Sequence, residues 1–205
     1  GEGLAALAAR HAVLAPDLPG HGESDPLVHP ALGRTASGIA AVLAVLDAFA
    51  VPRVRILATG WGATFALALA AAAPARVASL ALAGLPRPDA AERDAWRASF
   101  APETVEWHGG HLLRYWHTVR DGRLYAPYFR HDRAAIRWEE PDLDERRLQR
   151  DALELMKAAG HWQELHAELL GTTGDDALAA ARARGVAVAE FPAGTDLAAL
   201  AAGAA

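Results

Sequence analysis

A chain of 205 residues in which 52% of the side chains are hydrophobic is long enough to bury a continuous core without covalent staples. Its 20 basic and 25 acidic residues leave a formal net charge of -5, and the two signs are interspersed, which excludes the basic footprint of a nucleic-acid binder. The absence of cysteine excludes disulfides and thiolate chemistry. No charged leader followed by an apolar stretch opens the chain, and the longest apolar run, residues 65–73, is too short to span a membrane. A soluble, cytoplasmic protein with no membrane partner is the expectation.

Residues 4–9 read as the end of a helix, and residues 11–18 (HAVLAPDL) as a short apolar strand closed by the turn Pro19-Gly20-His21-Gly22. Residues 35–49 carry Ile39, Val42, Leu43, Leu46 and Phe49 at helical spacing, with Thr35 placed to cap the helix. Residues 54–58 read as a buried strand, 61–73 as a helix of small residues and 77–83 as a further strand ending at Gly84. This strand–helix–strand alternation predicts a parallel sheet.

From residue 86 to 166 the pattern changes to short charged helices. They hold Trp96, Trp107, Trp116, Trp138 and Trp162, all three Tyr and six of the nine His. The alternation then resumes, with 167–170 expected as a strand, 176–184 as a helix, 186–191 as a strand, and an alanine-rich helix after it.

Two segments carry a family resemblance. Residues 13–26, VLAPDLPGHGESDP, are similar to the segment that follows the fourth strand of α/β-hydrolases, and residues 56–84 resemble the elbow, helix and strand that come next in that fold. The resemblance implies a mostly parallel sheet of about five strands, without the family's first three, in a core of residues 1–85 and 167–205. Residues 86–166 are then a helical cap insertion.

In that family a G-x-S-x-G turn lifts a serine above the sheet. Here the elbow reads Ala58-Thr59-Gly60-Trp61-Gly62, so Gly60 stands where the resemblance implies the nucleophile. Glycine adopts a strained elbow conformation at little steric cost, which preserves the turn and removes the attacking atom. Trp61 follows as the backbone oxyanion donor. The loop Gly171-Thr172-Thr173-Gly174-Asp175 resembles the one that presents the family's acid, making Asp175 the candidate acid, with a helix cap as the competing role. Residues 187–194 resemble the approach to the catalytic histidine, but Thr195 and Asp196 follow, and no His comes after His166. Asp196 therefore marks a vacant base position.

The cap segment HLLRYWHTVRDG is similar to lids of small-molecule hydrolases. Leu112, Leu113, Trp116 and Val119 form an apolar stripe there, most simply as core. His108, His111, Tyr115, Trp116 and His117 are the candidate lining of a pocket for a small apolar or acyl ligand. No metal spacing is present and no cofactor is implied. Three functions follow as alternatives: a ligand-binding hydrolase relative impaired in catalysis, an enzyme using cap His residues with Asp17 or Asp89 to activate water, or a structural module that forms a homodimer.

Overall fold

The strongest strand signals in the chain become three parallel strands, β1 (Val54–Thr59), β2 (Val77–Ala83) and β3 (Ala187–Phe191), in the order β1-β2-β3. A computed structural model of the protein describes residues 2–26, 32–100 and 104–195. Leu80 lies opposite Ile56 on one side and Val188 on the other, and Ala83 opposite Thr59 and Phe191, so the carboxyl ends of all three strands come level.

The helices are α1 (Glu2–Ala8), α2 (Arg34–Ala48), α3 (Trp61–Ala72), α4 (Ala90–Ser99), α5 (Gly110–Leu124), α6 (Glu145–Lys157), α7 (His161–Leu169) and α8 (Gly174–Ala183). The chain divides into two compact units. One comprises Gly1–Pro16, Val28–Arg93 and His166–Ala205; the other comprises Asp17–Leu27 and Asp94–Leu165. The segment around the Pro19–Gly22 turn thus groups with the region inserted between β2 and β3. Among the described residues no helix is long and apolar enough to cross a membrane.

In the first unit, α3 supplies Ala63, Ala66, Leu67, Leu69 and Ala70 to a core completed by Val77, Leu80 and Leu82 of β2 and by Ala177, Leu178 and Ala181 of α8. Ile39, Val42 and Leu43 of α2 pack against it. Alanine on α3 lets the helix axis approach the sheet closely, while Leu67, Leu80 and Leu82, almost wholly buried, each contribute about 1.5–3 kcal/mol of burial. In the second unit Trp96 stands edge-on to Tyr128 and Phe129 at centroid distances of 5.7 and 5.0 Å, and Phe100 edge-on to Trp162 at 5.5 Å. This is an aromatic core of its own.

Several sequence expectations are corrected. Three strands stand among the described residues where about five were expected. Residues 11–18 form no strand: they stand mostly exposed with no ladder partner among the described residues, and a strand exists only by pairing. Residues 167–170 do not form a strand, since 167–169 close α7 and bury Leu169 on a helical face. Phe49 is the C-cap of α2 and is exposed, while Leu46, on the same apolar stripe, is buried. Leu112 and Leu113 are exposed, so the α5 stripe is not core at these positions. The alanine-rich segment after Thr195 lies outside the described residues.

Thr35 does not cap α2. The N-cap is Gly33, which has no side chain to offer, and the donors are met from a distance: Glu168 Oε1 accepts Arg34 N–H at 2.6 Å and Oε2 accepts Thr35 N–H at 2.7 Å. A Cβ on Gly33 would lie 2.8 Å from Glu168 Oε1, so the glycine makes room for the carboxylate. Partial desolvation pushes the Glu168 carboxyl up, but the Thr35 and Arg34 N–H donors outweigh it and hold the group below its ordinary 4.5.

Glu168→Gln is expected to destabilise the fold by about 1 kcal/mol at pH 7. A depressed carboxyl contributes stability above its unfolded pKa and loses it as pH falls through the lower folded value, so the difference between wild type and variant should shrink below about pH 4 in urea melts. Thr64, in the first turn of α3, is 4% exposed and its Oγ1 has no hydrogen-bond partner among the described residues. Thr64→Val should therefore raise stability by about 1 kcal/mol, read as a melting-point rise of roughly 2–4 °C.

Candidate functional site

The turn between β1 and α3 is built on one residue. Gly60 is the N-cap of α3 with φ 53° and ψ -130°, a conformation costly for any residue with a Cβ. Its N–H donates to the Ala83 carbonyl at 3.1 Å, tying the turn to the end of β2, and its carbonyl accepts the Ala63 N–H at 2.9 Å, starting the helix. A Cβ built on Gly60 would meet nothing within 4 Å, and the same holds at Gly62. The elbow therefore projects into open space at the carboxyl edge of the sheet, where open α/β sheets bind ligands. Geometrically the position could carry a side chain, and the sequence gives it none.

The neighbouring strand ends complete this edge. Gly84, at φ 64°, donates its N–H to the Phe191 carbonyl at 3.0 Å, and Ala193 approaches so closely that a Cβ on Gly84 would lie 3.1 Å from the Ala193 Cα. Thr195 folds back, its hydroxyl donating to the Pro192 carbonyl at 2.7 Å. Asp196 lies outside the described residues. Trp61, first residue of α3, holds its indole edge-on to His166 at a centroid distance of 5.3 Å, which brings an imidazole next to the elbow from α7.

Asp175 sits in the first turn of α8, and that helix is capped by Thr173, whose Oγ1 accepts the Asp176 N–H at 3.1 Å. The Asp175 side chain is 73% exposed and accepts Arg87 Nε at 2.7 Å. Arg87 also reaches Glu190 on β3, and these two carboxylates, Asp175 first, push the guanidinium further into its charged form. Asp175 is thus one end of an ion-pair network joining α8 to β3, and it follows a helix rather than a strand.

The model of the alpha/beta hydrolase fold family matches residues 2–165. The chain belongs to the α/β-hydrolase fold family. Among solved structures, a variant epoxide hydrolase of Vigna radiata aligns over 93% of this chain and 68% of its own at 19% identity, with a TM-score of 0.58. A hydrolase of Pseudomonas aeruginosa PA01 aligns over 97% of this chain and 71% of its own at 25% identity and a TM-score of 0.53. A structure from a study of carboxylesterases of the thaumarchaeon Nitrososphaera gargenis aligns over 86% of this chain and 59% of its own at 14% identity and a TM-score of 0.54. None of the curated protein sequences matches.

In the second unit of this hydrolase-fold chain, the candidate lining residues divide into separate roles. Glu106 organises the turn before α5: its N–H donates to His111 Nδ1 at 3.2 Å, its carboxylate lies 3.1 Å from His108 Nε2, and Arg114 donates to it. The Arg114 hydrogen bond, ahead of other causes, holds the Glu106 carboxyl below its ordinary value. Tyr115 lies four residues after His111 and shares its face of α5, whereas Trp116 and His117 point about 100° and 200° away from that direction. The five residues do not share one direction on the helix.

Asp17 and Asp89, the carboxylates considered for water activation, are committed to turns. Asp17 Oδ2 accepts the Glu23 N–H at 3.1 Å and its backbone carbonyl accepts the Ser24 hydroxyl at 2.9 Å. Asp89 Oδ1 accepts the Glu92 N–H at 2.8 Å, and Glu92 returns the bond to the Asp89 N–H, a reciprocal capping box. Among the described residues no three His, Asp or Glu gather as metal ligands. The sequence reading missed Glu168 and His166. Their partners lie more than a hundred residues away, and no local spacing carries that signal.

Gly60→Ser and Gly60→Ala are both expected to fold, each losing about 1–2 kcal/mol to the positive φ because the added atoms have space. Gly84→Ala should cost more than either, since backbone strain adds to the contact with Ala193. Urea denaturation of the three variants checks the ranking.

Proposed function

We propose that this hydrolase-fold chain binds a small apolar or acyl compound and does not turn it over through a serine-type covalent intermediate. The observation that carries the reading is Gly60, an elbow residue at φ 53° with open space around it and no attacking atom. An acyl transfer also needs an imidazole to take a proton from a nucleophile and return it, and here the sequence has no His after β3, the His166 imidazole beside the elbow stands against the Trp61 ring with no attacking atom at Gly60 to serve, and Asp175 is held by Arg87. Loss of nucleophile or base alone removes most of the catalytic factor and leaves oxyanion and binding effects. What remains is the turn, the first-turn N–H groups headed by Trp61, and the positive end of α3.

The substrate classes in the neighbours' names, epoxides and carboxylic esters, support a small uncharged electrophile as the ligand class. In this reading the region inserted between β2 and β3 carries ligand contacts of its own. His111 and Tyr115, on one face of α5, are its ligand-contacting pair.

The test is chromophore release from a short-chain acyl ester, together with the melting temperature of the protein in the same ester. The unmodified chain is expected to hydrolyse at the background rate yet to be stabilised saturably, by about 2.7 kcal/mol at a hundredfold excess over Kd, with the effect weakened in His111→Ala. Gly60→Ser combined with Asp196→His is the gain-of-function arm. Robust hydrolysis by the unmodified chain overturns the proposal, and if serine-directed labelling leaves that hydrolysis untouched, activated water is the mechanism instead.

A further inference from the structure

Glu106 binds through its side chain and its backbone to different partners. The carboxylate crosses the start of α5, where a Cβ on Gly110 would run into Glu106 Oε2, and there it meets Arg114 and His108. Arg114 also donates to the Thr104 carbonyl at 3.3 Å. No ion pair or side-chain hydrogen bond joins either charged group to His111 among the described residues. His111 is held by the backbone instead, the Glu106 N–H donating to Nδ1 at 3.2 Å. A backbone N–H can only donate, so Nδ1 accepts and carries no proton in the neutral ring. The opposite ring orientation would set a C–H against that N–H. The proton of the neutral imidazole therefore sits on Nε2. No acceptor among the described residues takes it, and the atom is not sealed from solvent.

We infer that His111 is a specificity-determining hydrogen-bond donor: its Nε2–H binds an oxygen of the ligand, and the ligand class is an uncharged carbonyl compound such as an ester rather than a plain hydrocarbon. This rests on the reading above that His111 contacts the ligand. The backbone of Glu106 is the positioning group, since it fixes both the tautomer and the plane of the ring at the first turn of α5. A carbonyl offers the lone pair that this donor lacks. A hydrocarbon of the same size would cover the N–H and leave it unpaired, which is how a polar group in a site rejects an apolar isostere. Tyr115, one turn further along the same face, flanks the bound group.

Nitrogen-15 NMR of the histidine rings of the full chain tests this at about pH 8, where imidazole is ordinarily neutral. His111, assigned by the signal lost in His111→Gln, is expected to show the Nε2–H tautomer before any ligand is added. Glu106→Gln keeps the backbone donor and should keep that tautomer. Methyl benzoate should then move the His111 Nε2 resonance, and ethylbenzene should not. In His111→Phe the affinity for methyl benzoate should fall by roughly tenfold while that for ethylbenzene holds, and His111→Gln, which puts an amide donor near the place of Nε2, should recover most of the loss. An Nδ1–H tautomer, or ester binding that is indifferent to the donor at position 111, overturns the donor role and leaves the ligand-binding reading standing. If neither probe binds, that reading fails and the donor role fails with it.

Discussion

The strand–turn–helix joint at Gly60 is the constraint on which the first unit depends. One residue ends β1, reaches across to Ala83 with its N–H, and begins α3 with its carbonyl. Those two bonds set the helix over the β1–β2 ladder, and the alanines of α3 let it settle close enough to bury Leu67, Leu80 and Leu82. Only a residue without a Cβ holds φ 53° and ψ -130° at low cost, so glycine at this position keeps the joint unstrained.

Long-range electrostatics secures what the local sequence leaves open. Glu168 caps α2 from the far end of the chain, and Arg87 ties α8 to β3 through Asp175 and Glu190. Each carboxylate looks, by its neighbours in sequence, like a solvated surface charge. Each is in fact a cross-link between elements distant in the chain.

The second unit follows a different rule. Its aromatic side chains Trp96, Phe100, Tyr128, Phe129 and Trp162 pack on one another, edge to face for the most part, while its charged groups organise turns, as Glu106 does with His108, His111 and Arg114. The clustering of aromatics and histidines was visible in the sequence. Their division into core and turn anchors was not, because it depends on directions around α5 and α4 that composition does not encode.

What the sequence determined by itself was everything carried by short-range periodicity and steric demand. The strands at 54–59 and 77–83, the small-residue helix between them, the glycine elbow and the family all follow from residues close together in the chain. Tertiary structure decided the rest. Residues 11–18 have a strand's pattern but pair with no strand among the described residues, and residues 167–169 have a strand's composition but complete a helix that buries Leu165 and Leu169. The cap of α2 passed from Thr35 to Glu168. In each case the missing information was the identity of a distant partner, since backbone pairing and ion pairing are settled by proximity in space.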